Sequence, residues 1–553
     1  MKPRVFLPAI LSGPLLWAAF FPLDFGPIAF VALVPWLTLV RSPQTGWRLY
    51  LAGYLGGLAF FLPALQWLRV AHPMMYLSWV GLALVCPLFW LAALFLLRRI
   101  DQMKLVPLGL SVPVVWVALE YLRAHPTGFP FLHDVFQTYM IGFGWYFLGY
   151  TQHGFLPFIQ VADLGGVYAV SFLVAAVNGT VAEWLLRSAR VRNWLGHTND
   201  TPRRRPIGSI VGIGGLVAAA LVYGFVKLDH PPFEPGPRVA AIQGNVPQFV
   251  KIEKGDELGQ TYAKLHIEAA RSEPKPDLII WPETSFPIDW FEVVEGSEAP
   301  ADEIRGAIRR AKWFTTQHWG VPVLLGLNGL EWEDGRLWKY NSALLIDAHG
   351  MKFGRYDKMH LVPFGEYVPF KETLPWMQTF TPYENDYSCR PGRRWTRFRF
   401  QVSRDAEPAK PRGREFTFGC LICYEDSDPY LARHYVAAAP VDFLVNISND
   451  GWFNGTEEHE EHLAICRFRA IETRRSIVRA VNMGISCVID SDGRVVALPG
   501  ATWSASKKME GIVAAAMPLD RRQSWYARLG DWLPAACWVL LIVGHFAGRW
   551  RKL

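Results

Sequence analysis

Long apolar segments separated by short polar ones dominate the first 230 residues of the chain. A helix needs about 20 apolar residues to cross a bilayer, and five segments approach or reach that length. They are residues 49–68, 76–97, 105–122, 167–186 and 207–226. Three shorter segments, at 5–21, 28–40 and 533–546, can still cross if they tilt or if the bilayer thins around them. The pattern predicts eight membrane-spanning helices, seven within residues 1–230 and the eighth within residues 526–553.

The pattern changes after a proline-rich linker at residues 231–237. Short apolar runs then alternate with amphipathic stretches, and several runs pair as hairpins, as in layered α/β domains. We expect strands at 238–243, 277–281, 321–327, 341–346, 352–355, 416–422, 442–448, 476–481, 486–490 and 494–498, and helices at 257–271, 303–318 and 458–472. Residues 390–415, rich in arginine and proline, should form an exposed insertion of no fixed shape. Residues 237–525 thus form an α/β domain inserted between the seventh and eighth helices.

Charged residues make up only 19% of the chain, against about 25% in ordinary soluble domains, and the deficit is confined to the apolar segments. The net charge of +7 does not indicate a nucleic-acid partner, because the basic residues lie in loops beside those segments. On one side of the bilayer they are numerous, whereas the opposite short loops offer only Arg69 and Arg123. The positive-inside rule therefore predicts cytoplasmic termini. The α/β domain would then face the periplasm, outside the inner membrane of a Gram-negative bacterium.

The seven cysteines are scattered along the chain and do not form a disulfide framework. Cys420 and Cys423 form a C-x-x-C motif. A redox or zinc site would need a thioredoxin-like context or a second pair of ligands, and the sequence contains neither. We therefore expect no metal and no cofactor.

The connection between the fifth and sixth predicted helices, residues 123–158, is long, aromatic and lightly charged. Side chains such as Trp145, Tyr146 and Phe147 suit the headgroup layer of a membrane. The segment is either an interfacial re-entrant loop or the lining of a route for a lipid tail. Just before it, Glu120 is costly near the end of a helix unless it is paired, and Arg123 is the expected partner.

Three reactive side chains directly follow predicted strands: Glu283, Lys358 and Cys423. A thiol needs a base to become a thiolate, and a nearby carboxylate can be that base. The oxyanion formed when the thiolate attacks needs fixed positive charge, which a lysine and a backbone N–H can supply. A glutamate, lysine or cysteine at a strand end is more often structural than catalytic. The prediction of a catalytic site therefore depends on the sequence motifs around these three residues.

Those motifs resemble one family. Trp281-Pro282-Glu283-Thr284, the stretch YDKMHLVPFGEYVP over residues 356–369 and Cys423-Tyr424-Glu425 follow one another as in the nitrilase, or carbon–nitrogen hydrolase, superfamily. The chain is similar in particular to its membrane-embedded members, the apolipoprotein N-acyltransferase family. Residues 120–123, 127–130, 446–453 and 479–486 match the same family. Ile252 departs from the pattern, in which a lipid-contacting tryptophan is expected.

The resemblance implies an αββα sandwich that carries a Glu–Lys–Cys triad. Glu283 would act as the general base, Lys358 as the oxyanion stabiliser and Cys423 as the nucleophile. Glu366 would either keep Lys358 charged and oriented or assist catalysis, while Tyr424 and Glu425 would support the cysteine, with the Tyr424 N–H completing the oxyanion hole. We expect the other polar motif residues to be structural: His360, Asn449, Asp450, His459, Arg479 and Asn482.

The resemblance also implies a reaction. An acyl chain of a phospholipid, the sn-1 chain of phosphatidylethanolamine, would be transferred to the α-amino group of the diacylglyceryl-cysteine of an apolipoprotein, the last step of bacterial lipoprotein maturation. The transfer would pass through a thioester on Cys423 in a ping-pong mechanism. The expected protein is a monomeric, multi-pass inner-membrane enzyme whose partners are a phospholipid and a diacylated apolipoprotein.

Two other functions fit parts of the sequence. A membrane-tethered amidase or nitrilase would use the same triad and transfer to water, but it leaves the eight helices and the 123–158 segment without a purpose. A non-catalytic scaffold or transporter conflicts with the intact triad. Acidic residues are also nearly absent from the predicted spans, which leaves no evident ion path.

Overall fold

The computed structural model describes residues 5–104, 106–125, 142–196, 206–253, 255–298, 301–315, 319–369, 371, 373–380, 387–402 and 413–550. Within these ranges, a helical part formed by the beginning and the end of the chain packs against one α/β part. Helices occur at all eight places where the apolar pattern predicts them. Before the α/β part they are α1 (Phe6–Trp17), α2 (Ala29–Ala32), α3 (Val34–Leu37), α4 (Trp47–Ala64), α5 (Leu68–Ala71), α6 (Met75–Val85), α7 (Pro87–Gln102), α8 (Leu108–Ala124), α9 (Leu156–Ile159), α10 (Ala162–Gly165), α11 (Val167–Leu185), α12 (Ala189–Leu195) and α13 (Ile207–Leu228).

Four helical stretches among the described residues are long and apolar enough, by length and composition, to cross a membrane. They are Trp47–Ala71, Met75–Gln102, Val167–Leu185 and Ile207–Leu228. The second predicted span is broken into short α and 3₁₀ turns, because Pro35 within it lacks the N–H group that a continuous helix would bond. How many helices cross a membrane stays a prediction.

The α/β part is built on two sheets and the helices that cover them. The strands are β1 (Glu234–Gln243), β2 (Leu278–Ile280), β3 (Trp290–Val293), β4 (Val323–Glu333), β5 (Arg336–Ile346), β6 (Lys352–Asp357), β7 (Arg397–Val402), β8 (Arg414–Ile422), β9 (Phe443–Asn449), β10 (Ile477–Asn482), β11 (Cys487–Ile489), β12 (Val495–Ala497) and β13 (Gly511–Leu519). The helices are α14 (Gln248–Glu253), α15 (Gly255–Arg271), α16 (Asp302–Thr315), α17 (Pro429–Ala437), α18 (Glu458–Thr473) and α19 (Trp503–Ser506), followed by α20 (Trp525–Leu529) and α21 (Trp532–Trp550).

The first sheet has the order β13-β1-β2-β4-β5-β6, with β3 beside β4, and the second has the order β12-β11-β10-β9-β8-β7. In β1, Val239 and Ala241 pack into a core shared with the second sheet, whereas Ala240 and Ile242 pack with residues of α15. Successive side chains of a strand point to opposite faces, so both faces of β1 are covered. Helices α17 and α18 pack with the second sheet. The four layers form the αββα sandwich that the resemblance predicts.

The prediction of an insertion without fixed shape at 390–415 is wrong for part of that segment. Residues 397–402 form β7, which pairs with β8 in antiparallel register. Phe398 and Phe400 are buried, whereas Arg399 between them is exposed, which is the alternation of a strand. The many arginines of this segment indicated a loop in the sequence and hid that alternation. Residues 403–412 lie outside the described residues. Sequence reasoning also missed β13, whose run of alanines has low strand propensity.

Residues 126–141 of the long aromatic connection, and with them the 127–130 motif, lie outside the described residues. In the remainder Trp145, Tyr146 and Phe147 are buried instead of lying at a surface. Arg123 donates hydrogen bonds to the carbonyls of Trp145 (2.7 Å) and Tyr146 (3.1 Å). Glu120 accepts from the N–H of Leu148 at 2.7 Å. Among the described residues the expected ion pair is therefore absent, and both side chains instead bind this segment.

Helix α18 lies between the second sheet and the helical part, and all of its residues are buried. Leu463 and Cys466 pack in the core of the sheets, whereas Ile465 and Phe468 pack in the core of the helical part. Carboxylates along this helix bind the helical part directly. Glu461 accepts from the N–H of Phe21 (2.8 Å), and Glu472 accepts from the N–H of Val167 (2.7 Å).

Asp163, in α10, is the centre of a second set of contacts between the two parts. Its Oδ2 accepts hydrogen bonds from two nitrogens of Arg474, at 2.8 and 3.0 Å, and lies 3.3 Å from Nζ of Lys227. Its carbonyl accepts from the Ser524 hydroxyl at 3.0 Å. Because Asp163 and Arg474 are both fully buried, each needs the other to compensate for lost hydration.

Replacing Asp163 with alanine should destabilise the protein, because breaking a buried ion pair typically costs roughly 3–5 kcal/mol. We expect the Tm of the detergent-solubilised full-length protein to fall by several degrees in Asp163→Ala. Asp302→Ala removes an aspartate whose side chain is 92% exposed and should leave the Tm unchanged. Equal Tm values for the two variants would contradict the structural role of Asp163.

Candidate active site

Glu283, Lys358 and Cys423 meet where the ends of three strands come together. Glu283 follows β2 and Lys358 follows β6, both in the first sheet, and Cys423 directly follows β8 in the second. Nζ of Lys358 lies 3.6 Å from Oε1 of Glu283, and both charges act on the thiol of Cys423. The structure thus brings together the three residues that the sequence singles out.

Glu366 and Asn341 hold the carboxylate and the lysine in place. Oε2 of Glu366 lies 2.8 Å from Nζ of Lys358 and accepts a hydrogen bond from the N–H of Val362. The amide nitrogen of Asn341 donates to Glu283 at 2.6 Å and to Glu366 at 2.7 Å. Sequence reasoning missed Asn341, although a buried asparagine in the apolar strand β5 was the available signal.

Lys358 is a permanently charged group. Its burial alone would lower its pKa, but Glu366, Cys423 and Glu283 raise the pKa well above the ordinary lysine value. The side chain therefore remains an ammonium ion at neutral pH. It places fixed positive charge beside the thiol, as an oxyanion stabiliser must.

Cys423 rests as a thiol. Burial and the charge of Glu283 raise its pKa well above the ordinary value, and Lys358 offsets this only in part. A nucleophilic thiolate can therefore form only if a base takes the proton. The backbone at Cys423 has φ = 53°, a left-handed conformation. Residues other than glycine rarely adopt it unless the surrounding structure holds them there. This turn ends β8 at the reactive residue.

Glu425 ties the end of β8 to the loop that carries Lys358. Its carboxylate accepts from the N–H of Ile422 at 2.7 Å on one oxygen, and from the N–H groups of Met359 (2.7 Å) and His360 (3.1 Å) on the other. The hydroxyl of Tyr356 donates to the same carboxylate. Burial raises the pKa of Glu425 to about 7, although these hydrogen bonds act against the rise.

Tyr424 connects the site to the helical part. Its hydroxyl donates to the carbonyl of Gly142 at 3.1 Å, and its ring stacks on Trp145 with an interplanar angle of 3°. The ring of His360 meets Tyr424 edge-on. The residue that follows the cysteine therefore lies against the aromatic segment that the sequence associates with lipid.

A buried ionic network lies behind the cysteine. His462 is 2.8 Å from Asp426 and 3.2 Å from Asp450, and Arg479 is 2.7 Å from Asp426. Burial alone would lower the pKa of His462, but the two aspartates raise it to about 10. Asp450 and Arg479 thus have the structural place predicted for them, whereas sequence reasoning missed Asp426 and His462, which are far apart in the chain.

One trio of side chains in this network has a spacing that suits a metal ion. Ligand atoms of Asp450, Glu458 and His459 all lie within 4.8 Å of one another. Arg479 lies 3.6 Å from Asp450 and already supplies positive charge there. Burial and the charge of Asp450 raise the pKa of Glu458 well above its ordinary value.

Family models match both parts of the chain. Residues 12–180 match the apolipoprotein N-acyltransferase N-terminal domain, and residues 238–527 match the carbon-nitrogen hydrolases. Saccharomyces cerevisiae Nit3, of the nitrilase superfamily, aligns with 52% of this chain and 92% of its own at 17% identity and a TM-score of 0.32. That likeness adds nothing to the assignment, which rests on the family models and on the relatives below.

Two relatives extend over nearly the whole chain. The apolipoprotein N-acyltransferase of Geobacter metallireducens is 32% identical over 547 residues, which cover 97% of this chain and 93% of that protein. The apolipoprotein N-acyltransferase of Rhodopirellula baltica is 28% identical, with 94% of this chain and 92% of that protein covered. The chain therefore belongs to the apolipoprotein N-acyltransferase family, membrane-embedded members of the carbon–nitrogen hydrolase superfamily, and is an acyltransferase of a bacterial membrane.

Proposed function

We propose that the protein transfers the sn-1 acyl chain of phosphatidylethanolamine to the α-amino group of the diacylglyceryl-cysteine of apolipoproteins. One observation carries this proposal: Glu283, Lys358 and Cys423 meet where Tyr424 packs against Trp145 of the helical part. A thiol nucleophile at that junction can reach substrates that are both anchored in a bilayer. The names of the relatives, which extend over nearly the whole chain, point to the same acceptor.

The first half of the reaction forms a thioester. Glu283 takes the proton from Sγ of Cys423, and the thiolate attacks the ester carbonyl carbon of the phospholipid. Lys358 and the N–H of Tyr424 stabilise the oxyanion that forms. As the carbonyl reforms, the C–O bond to glycerol breaks, Glu283 returns its proton to the departing oxygen, and the lysophospholipid leaves.

The second half of the reaction transfers the acyl group to an amine. The α-amino group of the acceptor attacks the thioester, so that a C–N bond forms and the C–S bond breaks. The thiolate of Cys423 then regains a proton through Glu283. Hydrolysis of the thioester would waste the donor, and we propose that the stacked rings of Tyr424 and Trp145 limit the access of water.

The proposal includes a topology. Residues 1–230 would supply seven membrane-spanning helices, residues 237–525 the periplasmic catalytic domain, and residues 526–553 the eighth helix and a cytoplasmic tail. The distribution of basic residues supports this orientation in the inner membrane. We propose that the protein acts as a monomer, because both sheets and all three proposed catalytic residues come from one chain.

Cys423→Ala should form no acyl-enzyme. We expect wild-type protein incubated with labelled phosphatidylethanolamine to gain a hydroxylamine-sensitive acyl group, detected by intact-mass analysis, and this variant to gain none. Cys389→Ala, which removes another half-buried thiol, should acquire the group at the wild-type level. A full-yield adduct on Cys423→Ala would end the assignment of the nucleophile.

Lys358→Ala should slow formation of the adduct by about 100- to 1000-fold, the usual loss when one oxyanion-stabilising group is removed. Glu283→Gln should also block the adduct, because a neutral amide cannot take the thiol proton. Lys352→Ala is the matched control, since Lys352 lies on the exposed end of the same strand, β6. Near-normal rates for Lys358→Ala would exclude the oxyanion role.

Glu425→Gln should lower both stability and activity, because an amide NH₂ cannot accept the hydrogen bond from the N–H of Ile422. The loss should depend on pH. The pKa of Glu425 is about 7 in the folded state and about 4.3 in an unfolded chain, so the folded protein binds the extra proton between these values. Wild-type stability should therefore fall, relative to the variant, as pH rises from about 4.3 to about 7.

Scanning fluorimetry of the wild type and of Glu425→Gln across that pH range measures this effect. The exposed Glu415→Gln is the control and should parallel the wild type at every pH. A Tm difference between wild type and Glu425→Gln that does not change with pH would refute the titration of Glu425.

A further inference from the structure

A second lysine reaches the candidate site, from a position that no motif picks out. Lys251 lies on α14, and its Nζ donates a hydrogen bond to the backbone carbonyl of Glu283 at 2.7 Å. The amine also interacts electrostatically with the carboxylate of Glu283 and with the thiol of Cys423. The residue is half-buried.

The position of Lys251 is set by the same strand ends that build the site. Asn482, at the end of β10, exchanges two hydrogen bonds of 2.8 Å with the backbone of Val246. Asn449, at the end of β9, donates to the side chain of Gln248 at 2.8 Å. These bonds hold the turn before α14 against the second sheet, and α14 in turn places Lys251 over Glu283.

The two lysines of the site have opposite environments. Lys358 lies 2.8 Å from Glu366 and is held as an ammonium ion. For Lys251, no carboxylate within the described part of the chain lies at ion-pair distance. Burial lowers its pKa to about 8, and among the described residues Glu283, after β2, and Cys423, after β8, raise it in return. A large fraction of Lys251 is therefore a neutral amine near pH 8.

We propose that Lys251 is the base that takes a proton from the α-ammonium group of the acceptor before the amine attacks the acyl-enzyme. This inference rests on the proposed function and assigns a residue to its second half. An α-amino group has a pKa of about 7.7–8.0, so much of the acceptor arrives protonated and cannot attack. Proton transfer between groups of similar pKa is efficient, because the free energy of the transfer is close to zero in either direction.

The step balances without any further reactant. Neutral Lys251 accepts one proton and becomes an ammonium ion, which leaves the acceptor as a free amine. The amine attacks the thioester carbon, a C–N bond forms, and the C–S bond breaks. The second proton of the attacking nitrogen passes through Glu283 to the thiolate of Cys423. Lys251 then releases its proton to water.

The test separates the two halves of the reaction in Lys251→Met and Lys251→Arg. Arginine keeps the charge and can donate to the carbonyl of Glu283, but it cannot be deprotonated in a protein. Acyl-enzyme is first formed with labelled phosphatidylethanolamine and then mixed with a diacylglyceryl-cysteine peptide, and the rate of each step is measured. At pH 7 about 9–17% of an α-amino group with a pKa of about 7.7–8.0 is already a free amine. We therefore expect both variants to slow transfer by about 6- to 11-fold at pH 7, more than they slow adduct formation.

The pH dependence and a matched lysine complete the test. Raising the pH to about 9.5 deprotonates the acceptor itself, so the gap in transfer rate between the wild type and both variants should narrow severalfold. Lys264→Met removes an exposed lysine of α15 and should transfer at the wild-type rate. Normal transfer in Lys251→Arg, with a loss only in Lys251→Met, would mean a structural role and overturn the proposal. Equal losses in adduct formation and transfer would also overturn it.

The failure of this inference is distinguishable from the failure of the proposed function. If Cys423→Ala still acquires the acyl group, the proposed function fails whatever Lys251 does. If the adduct depends on Cys423 but both Lys251 variants transfer normally, only the role of Lys251 fails.

Discussion

The hydrogen bonds of Glu425 are the constraint on which the site depends. Apolar packing between the two sheets sets how far apart they lie, but it does not fix how the end of one strand is aligned with the end of another. Glu425 aligns the two strand ends. One of its oxygens accepts a hydrogen bond from the N–H of Ile422 at the end of β8, and the other accepts from the N–H of Met359 in the loop after β6. Cys423 and Lys358 are the immediate chain neighbours of Ile422 and Met359. A carboxylate in a buried position is costly, and here four hydrogen-bond donors offset part of the lost hydration.

The same logic explains why so many charges are buried where the two parts of the molecule meet. The site lies beside the helical part, and α18 is covered by the sheet on one side and by helices on the other. A helix in that position would ordinarily be apolar all round. Glu461 and Glu472 instead bind backbone N–H groups of the helical part, and Arg474 binds Asp163. Directional bonds of this kind resist sliding of one part over the other, which an apolar interface alone would permit.

Sequence reasoning succeeded where one residue is tied to one local pattern. A long apolar segment predicts a helix, and a reactive side chain just after an apolar run predicts a strand end. The choice of Glu283, Lys358 and Cys423 as one site rested on the motifs around them, which resemble the nitrilase superfamily. It failed where the partner lies elsewhere in the chain. Asn341 bridges two carboxylates, and Asp426 pairs with His462, through contacts that no local spacing encodes. It failed also for β7. The high arginine content of residues 390–415 indicated an irregular segment, although Phe398 and Phe400 alternate with polar residues as in a strand.

The contrast between the two lysines shows why environment, and not residue type, assigns chemistry in such a site. Both are lysines beside the same glutamate, yet one touches its carboxylate and the other touches its carbonyl. A carboxylate partner stabilises the ammonium ion and removes the residue from proton transfer, which suits a group that must stay positive while an oxyanion forms. A carbonyl partner supplies only a dipole, so burial has the largest effect on the pKa of Lys251 and lowers it to about 8. The amine can therefore exchange protons near neutral pH. The proposed mechanism deprotonates first a thiol and later an ammonium group, and it therefore requires both kinds of environment within one site.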